Sequence, residues 1–460
     1  MSELKQQWND LSALGFAEID HEPLKASGKP YKIYAQLLDA TAQQQFADVL
    51  NYPPVTYAAL MPDAHGGYTM PIGGVCAATD VIVPQFVGFD IGCGMCAYKT
   101  QYYKDEVQTH ASEIYQSIVK HIPLGFNTHK TAQEVSIDLP LTSMGQMILD
   151  SVGAYQLGSL GGGNHFIEIG YGRDDTVWIV IHSGSRGFGH KIASYYMLQA
   201  YLQSEPELND MDQLIAEFEA KNQTFKEHKP DEYARSLERF INKQKLEQHK
   251  RLSVKNIDKV KGIHGLDVHT ALGQDYITDQ NFALAFALAN RQRMIEVIMA
   301  QMNRILGGDD PFDVQDEARF INRNHNHAEF EPEMGQWIHR KGATHAKKGM
   351  RGVIPGNMRD GSFVVIGKGN ADSLESSSHG AGRVMSRVKA KSIIGMDQFK
   401  ASMQGITGTV DENTLDESPF AYKNIFEVMA LQEDLVEVVE HIQVLINVKD
   451  NTPGFGAKRK

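Results

Sequence analysis

"TVWIVIHSGSRG", Thr176 to Gly187, sets an unbroken apolar run against a turn made of His, Ser, Gly and Arg. Val177 to Ile181 are apolar and mostly β-branched, the composition of a strand buried on both faces. The chain becomes polar at His182, and a buried strand that ends in such a turn is a place where ligand-binding loops sit. The pattern recurs elsewhere in the first half. "IGGVCAATDVIV" (Ile72 to Val83) and "NHFIEIG" (Asn164 to Gly170) also read as strands that touch a glycine- or His-rich turn.

Working outward, the composition changes between about residues 205 and 255. Met211, Leu214, Ile215, Phe218 and Phe225 fall at helical spacing, Pro230 breaks the run, and Tyr233, Leu237, Phe240 and Ile241 resume it among Glu and Lys. This predicts a charged helical hairpin, read as a packing arm or dimer element in preference to a nucleic-acid contact. "ITDQNFALAFALANRQRMIEVIMAQMNRIL" predicts a buried helix, with Thr278 or Asp279 as its N-cap. "QVLINVKD" near the end alternates like a strand. No internal repeat divides the chain, and its polar motifs run from Asp63 to Lys449, which points to one site assembled from the whole length.

The net charge of -12 argues against non-specific polyanion binding by the entire surface. A local basic groove remains open. Lys and Arg gather in "IHRKGATHAKKGMR" (Ile338 to Arg351), which the glycines there allow to be a phosphate-contacting loop, and in the tail "GAKRK", read as a solvated terminus. No stretch approaches 18 consecutive apolar residues, and the N-terminus lacks a basic-then-apolar leader pattern. Three cysteines, an odd number, argue against a disulfide framework and for a reducing compartment. The expected location is cytoplasmic.

"FDIGCGMC" (Phe89 to Cys96) holds two of those cysteines at Cys-x-x-Cys spacing. A zinc knuckle would need a second such pair, and none exists. A redox dithiol would want a helix N-terminus, which the glycines fit poorly. The preferred reading is that Asp90 and Cys93 donate to metal completed by distant histidines, and that Cys96 is an inert buried cysteine. Candidate histidines in short polar or glycine-flanked contexts are His65, His165, His182, His325, His327 and His379. Imidazole, thiolate and carboxylate together are a transition-metal ligand set.

Phosphate handling is the second theme. "HSGSRG" can form an anion-binding nest beside Arg186, and "HGAGR" (His379 to Arg383) offers glycines and an arginine fork. There is no Walker A sequence. The lysine-nucleophile pattern K-x-D-G is also missing, its nearest string being Met358-Arg359-Asp360-Gly361. If a nucleotide is activated, another nucleophile does it, and histidine is chemically able.

In order along the chain stand "MPDAHGGYTMPIGG", "VGFDIGCG", "GGGNHFIEI", "HSGSRGFGH", "HRKGAT", "IPG", "SHGAGRVMSR" and "ESPFAYK". Together they resemble the RtcB family of RNA ligases, over nearly the whole length from about Tyr57 to Lys449. The resemblance implies an α+β fold: a single large mixed α/β unit of β-sheets with surrounding helices enclosing a central metal cleft, spanning residues 1–460, with the 205–255 helical arm inserted. It implies joining of an RNA 3′-phosphate or 2′,3′-cyclic phosphate end to a 5′-hydroxyl end, in tRNA splicing or RNA repair, with GTP and two Mn²⁺ ions.

Carried over by the resemblance, Asp90, Cys93, His165, His182 and His325 are the metal ligands, with Cys93 bridging. His379 is the nucleophile that accepts GMP. Asn164, Phe166, Glu168, Asn326, Ser362, Tyr422 and Lys449 resemble the guanine-nucleotide pocket. Arg383 and Arg186 fall where GTP or RNA phosphates are held, and Asp63 and His65 lie near the reacting ends. Gly92 stands where many members have Asn, Asn357 replaces the usual serine of "PGSMG", and the stretch before "SSSHGAGR" also differs, all beside the pocket. Two rival readings are a dinuclear metal phosphoesterase acting on RNA ends and a non-catalytic RNA-end-binding protein. An activating protein partner, and a monomeric or homodimeric state, are each compatible with the sequence, and no membrane association is expected.

Overall fold

The computed structural model describes residues 11–204, 211–251 and 262–452. Its centre is an eight-stranded sheet whose main path runs Phe320–Asn324, Gly94–Tyr103, Thr176–Ser183, Phe166–Tyr171, Val436–Val448, Ser362–Gly367 and Arg351–Pro355, with Thr407–Gly408 beside Val436–Val448. The two ends of that path approach each other, Arg323 Nε donating to the Arg351 carbonyl at 3.3 Å, so the sheet is nearly closed. Val177 to Ile181 are buried in its middle, as the apolar run predicts. "QVLINVKD" supplies the end of the long strand Val436–Val448.

A five-stranded sheet lies alongside, in the order Asn326–Glu331, Gln336–Lys341, Met70–Ala78, Val55–Tyr68 and Tyr31–Ile33. A two-stranded ribbon pairs Ala343–His345 with Ser376–Ser378. Chain connectivity places the ligand candidates between these units. His325 is the residue between the strand Phe320–Asn324 of the first sheet and Asn326–Glu331 of the second. His379 follows directly on the ribbon.

The buried helix is longer than expected, Ala271–Leu306, and its cap is Thr270, whose side chain accepts from Gly273 N. This corrects the predicted start at Thr278 or Asp279. Asp279 is instead fully buried inside the helix and accepts from Thr142 N, Thr142 Oγ1 and Tyr196 O–H. Its carboxylate is therefore committed to tertiary partners, and the helix continues through it. Gly307, in the left-handed conformation, ends the helix.

In the 205–255 region, residues 205–210 and 252–255 lie outside the described residues, as does the "GAKRK" tail. The described part is helical: Met211–Lys221, Gln223–His228 and Pro230–Arg251. Pro230 opens the third of these, where its missing N–H costs nothing. Phe218 stacks on Phe240 at 4.5 Å between ring centres, and Phe225 meets Tyr233 edge-on at 6.2 Å.

The basic cluster Ile338–Arg351 is no phosphate loop at its start. Ile338 to Lys341 belong to a central strand, and Arg340 and Lys341 are both buried. Arg340 is held by Ser376 Oγ, Leu374 O and Glu329, and Lys341 Nζ donates to the carbonyls of Tyr68 and Gln85. Among the described residues no helix is long and apolar enough to cross a membrane.

Candidate active site

Strand register brings the predicted ligands together. Asn324 pairs with Gly94, Gly94 with Ser183, and Phe166 with His182. His325, Cys93, His182 and His165 each end, begin or adjoin one of these four neighbouring strands, so all four stand on one rim of the sheet. Val448 pairs with Ile167, which brings Lys449 to the same rim from the next strand. Antiparallel pairing does the positioning: chain starts and chain ends alternate along a single edge.

Two backbone bonds knit the rim, His325 N to Cys93 O at 2.7 Å and Gly92 N to Asn326 O at 2.8 Å. Gly92 has φ +71, and a Cβ there would lie 2.8 Å from Ala287 Cβ. A left-handed residue is needed at this turn, which glycine supplies without strain and without a Cβ to meet Ala287. The Gly92 departure therefore leaves the turn intact. Gly184 is needed for proximity, since a Cβ there would stand 2.3 Å from Asp90 Oδ1.

The side chains form two groups that share Cys93. Its Sγ lies 3.4 Å from His165 Nε2 and 3.2 Å from His182 Nε2. Asp90 Oδ2 lies 2.9 Å from His165 Nε2, and His182 Nε2 lies 3.3 Å from His325 Nε2. Asp90, Cys93 and His165 can hold one ion, and Cys93, His182 and His325 another. Metal–ligand bonds of about 2.0–2.3 Å at tetrahedral angles separate donor atoms by about 3–4 Å, the spacing found here. Burial, together with the neighbouring His165 and His379, holds His182 and His325 well below the ordinary histidine range, so both rings stay neutral, the form that binds metal. Burial and then Asp90 push the Cys93 thiol up. Burial likewise pushes Asp90 up, but His165 and Arg186 outweigh it and keep Asp90 ionised.

A buried arginine that sequence reading missed fixes this rim. Arg291 of the long helix donates to Gly92 O at 2.9 Å, Ser183 O at 2.7 Å, Asn322 Oδ1 at 2.7 Å and Asn324 Oδ1 at 2.6 Å. It thus ties together the segments that carry Cys93, His182 and His325. Within an apparently apolar helix, the string "ANRQRM" was the available signal.

Next to the ligands stands His379. Its ring centre is 4.9 Å from that of His325. Its Nδ1 lies 2.6 Å from Asp63 Oδ2, which also accepts from the backbone N–H groups of His379 and Gly380. Asp63 is fully buried; burial pushes its carboxyl up, and His379 more than offsets this and leaves it below the usual range. His65, its Nδ1 3.0 Å from the Asp63 carbonyl, is driven down to about 4 by burial.

His379 opens on a cavity of about 690 Å³. Of the predicted residues, His65, Asn164, Phe166, His182, Arg383, Tyr422 and Lys449 also line it, and so does Asn357. Asp63 sits behind His379 instead of facing the cavity. Arg186 is likewise outside the lining, its NH1 3.1 Å from His165 Nδ1, which also lies 3.0 Å from the Leu160 carbonyl. Asn326 spends its amide on Asp90 O and Gly342 N. Glu168 and Ser362 are buried beside one another, and burial pushes Glu168 up to about 8.

At the far end, Glu417 gathers the cations. Lys449 Nζ lies 2.8 Å from Glu417 Oε2, Arg383 NH1 3.1 Å from Oε1, and Tyr422 donates to Oε2 at 2.5 Å, with Arg387 also paired to Glu417. Burial opposes its charge, but Lys449, Arg387 and Arg383 hold Glu417 at about 2. Glu417 opens the string "ESPFAYK", yet nothing in the sequence assigned it this role. Asn447, another lining residue, was also missed; its Oδ1 is buried with no partner among the described residues. Asn357 closes a local turn, accepting from Arg359 N and Asp360 N.

A family model described as tRNA-splicing ligase RtcB matches residues 45–151 and 142–450. The RNA-splicing ligase RtcB of Escherichia coli K12 is 31% identical over 455 residues, covering 94% of this chain and 100% of that protein. The chain belongs to the RtcB family. Relatives extend beyond bacteria: the tRNA-splicing ligase RtcB of Nanoarchaeum equitans is 25% identical, covering 83% of this chain and 85% of its own. An RNA-splicing ligase RtcB homolog of Entamoeba histolytica is 26% identical, covering 88% and 83%. Within the RtcB match lie every ligand candidate, His379 and the cavity residues from His65 to Lys449, while Leu14, Phe16, Asp39 and Thr41 of the cavity wall precede it.

Proposed function

We propose that this RNA ligase joins an RNA 3′-phosphate end, or a 2′,3′-cyclic phosphate end after its hydrolysis, to a 5′-hydroxyl end, using GTP and carrying GMP on His379. The observation that carries the reading is the position of His379. One ring nitrogen is held 2.6 Å from a buried carboxylate, beside His325, at the wall of a nucleotide-sized cavity.

With Nδ1 held as a donor to Asp63, the Nε2 lone pair is the nucleophile. It attacks the α-phosphorus of GTP; a P–N bond forms, the bond to the β-phosphate oxygen breaks, and pyrophosphate leaves. An oxygen of the RNA 3′-phosphate then takes GMP from His379, breaking the P–N bond. The 5′-hydroxyl oxygen attacks the activated 3′-phosphorus, loses its proton and expels GMP. Each turnover makes one phosphodiester and converts GTP to GMP and pyrophosphate.

Asp90, Cys93 and His165 on one side, and Cys93, His182 and His325 on the other, are the residues to hold two divalent ions, which when bound neutralise phosphate charge. Donor chemistry alone would rank zinc or iron first; manganese is the family's ion, and zinc is expected to bind and inhibit. Asn164, Phe166, Glu168, Ser362, Tyr422 and Lys449 are proposed to frame the guanine nucleotide, with Arg383 and Arg387 turning from Glu417 toward phosphate. Asp63, Arg186 and Asn326 are read as positioning residues.

The direct test supplies RNA bearing 3′-phosphate and 5′-hydroxyl ends, with GTP and Mn²⁺. A joined strand with GMP and pyrophosphate released is the expected product. Free phosphate with no joined strand supports the phosphoesterase reading, and unchanged RNA supports a binding protein.

A further inference from the structure

His327 is a histidine that the ligase site leaves unused. It lies on the strand Asn326–Glu331, two residues from Glu329 and so on the same face. His345, on the ribbon strand Ala343–His345, meets that face: its ring centre is 5.2 Å from that of His327, and its Nε2 contacts Glu329 Oε1. One donor atom from each of the three side chains falls within 4.8 Å of the others. His327 is 5% exposed, and its Nδ1 is buried with no partner among the described residues. Buried ring nitrogens are ordinarily partnered, so this one marks an incomplete site.

We propose that His327, Glu329 and His345 form a separate metal site that takes one divalent transition-metal ion of the zinc class. Two imidazoles and a carboxylate are the three-ligand set that suits zinc and its neighbours, and they select against magnesium and calcium. Arg340 stands at the edge of the group, its NH1 2.5 Å from Glu329 Oε1 and 3.5 Å from His327 Nε2. That guanidinium is pinned by Ser376 Oγ at 2.8 Å and Leu374 O at 2.9 Å, so it orients the Glu329 carboxylate as an outer partner of a ligand does. Its charge is balanced locally. Glu329, Glu331 and Glu375 surround it, while Lys347 pairs with Glu331 at 2.8 Å.

The place of the site gives it a role. The strand with His327 and Glu329 begins immediately after His325, and the strand with His345 pairs with Ser376–Ser378, which leads into His379. An ion bound here would brace the two segments that deliver a ligand histidine and the nucleophile, without touching substrate.

The test uses the full chain and zinc alone. In a Cys93→Ala background, which disables the Cys93 centre, zinc loading followed by exhaustive dialysis should leave one equivalent of zinc. Adding His327→Gln and His345→Gln, which keep most of the buried volume, should weaken its retention at least tenfold, while the variant still melts cooperatively in EDTA. Equal zinc retention with and without those two changes would overturn the proposal and leave an ion-pair network only. Should the combined variant fail to fold, zinc anomalous scattering from crystals of the unmutated protein decides. A peak between His327, Glu329 and His345 supports the site, and its absence at saturating zinc refutes it.

Discussion

His379 Nδ1 lies 2.6 Å from Asp63 Oδ2, in a pair that joins residues 316 positions apart. A fully buried carboxylate thereby fixes the tautomer and aim of the ring. Asp63→Asn keeps the shape but offers an amide where the carboxylate accepted three N–H groups. Transfer of GMP to the protein should slow by about 10–100-fold, as losing an orienting partner does. Metal content should be unchanged. Wild-type labelling rates in Asp63→Asn would show that the pair is only structural.

The two cysteines of "FDIGCGMC" should part company. Cys93 belongs to both ligand groups, whereas Cys96 faces the apolar core, where burial pushes its thiol up to about 12. Cys93→Ala should abolish ligation and lower bound metal. Cys96→Ser should keep ligation and cost about 1–2 kcal/mol of stability. Equal metal loss from the two variants would revive a Cys-x-x-Cys site.

The candidate ligands were legible in the sequence because they sit where apolar strands abruptly become polar, as at His182. Glycines flanking His165 and His379 mark the same kind of edge. What the sequence concealed are residues whose role depends on the packed fold. Arg291 reads as an ordinary polar position in a helix until three strand ends converge on it. Asp279 reads as a cap because its tertiary partners, Thr142 and Tyr196, are distant in sequence.

Arg291→Lys keeps a positive charge but not the fork that reaches Gly92, Ser183, Asn322 and Asn324 together. Each buried acceptor left without a donor costs about 1–3 kcal/mol. The variant should melt lower and bind Mn²⁺ about 10–100-fold more weakly by calorimetry. A folded Arg291→Lys protein with unaltered metal affinity would remove Arg291 from the account.

Glu168 supplies a pH signature. Burial raises it to about 8, above its unfolded value of about 4.3. The folded chain keeps this proton where the unfolded chain releases it. Its contribution to stability is therefore full below about pH 4.3, declines as pH rises, and is gone once pH passes about 8. In ligand-free protein, the melting advantage of Glu168→Gln over wild type should widen steadily from pH 5 to pH 8. Parallel melting curves across that range would contradict the protonated carboxyl.

The central claim is that His379 carries GMP, and one labelling experiment tests it most directly. The protein is incubated with α-labelled GTP and Mn²⁺, without RNA, and the adduct is challenged with acid and with alkali. A phosphoramidate on imidazole should be lost in acid and survive alkali, unlike an ester on Ser376, Ser377 or Ser378. His379→Ala should give no adduct while retaining metal, because the proposed ligands are other residues. An adduct that persists in His379→Ala, or no adduct in metal-loaded wild type, would contradict the mechanism.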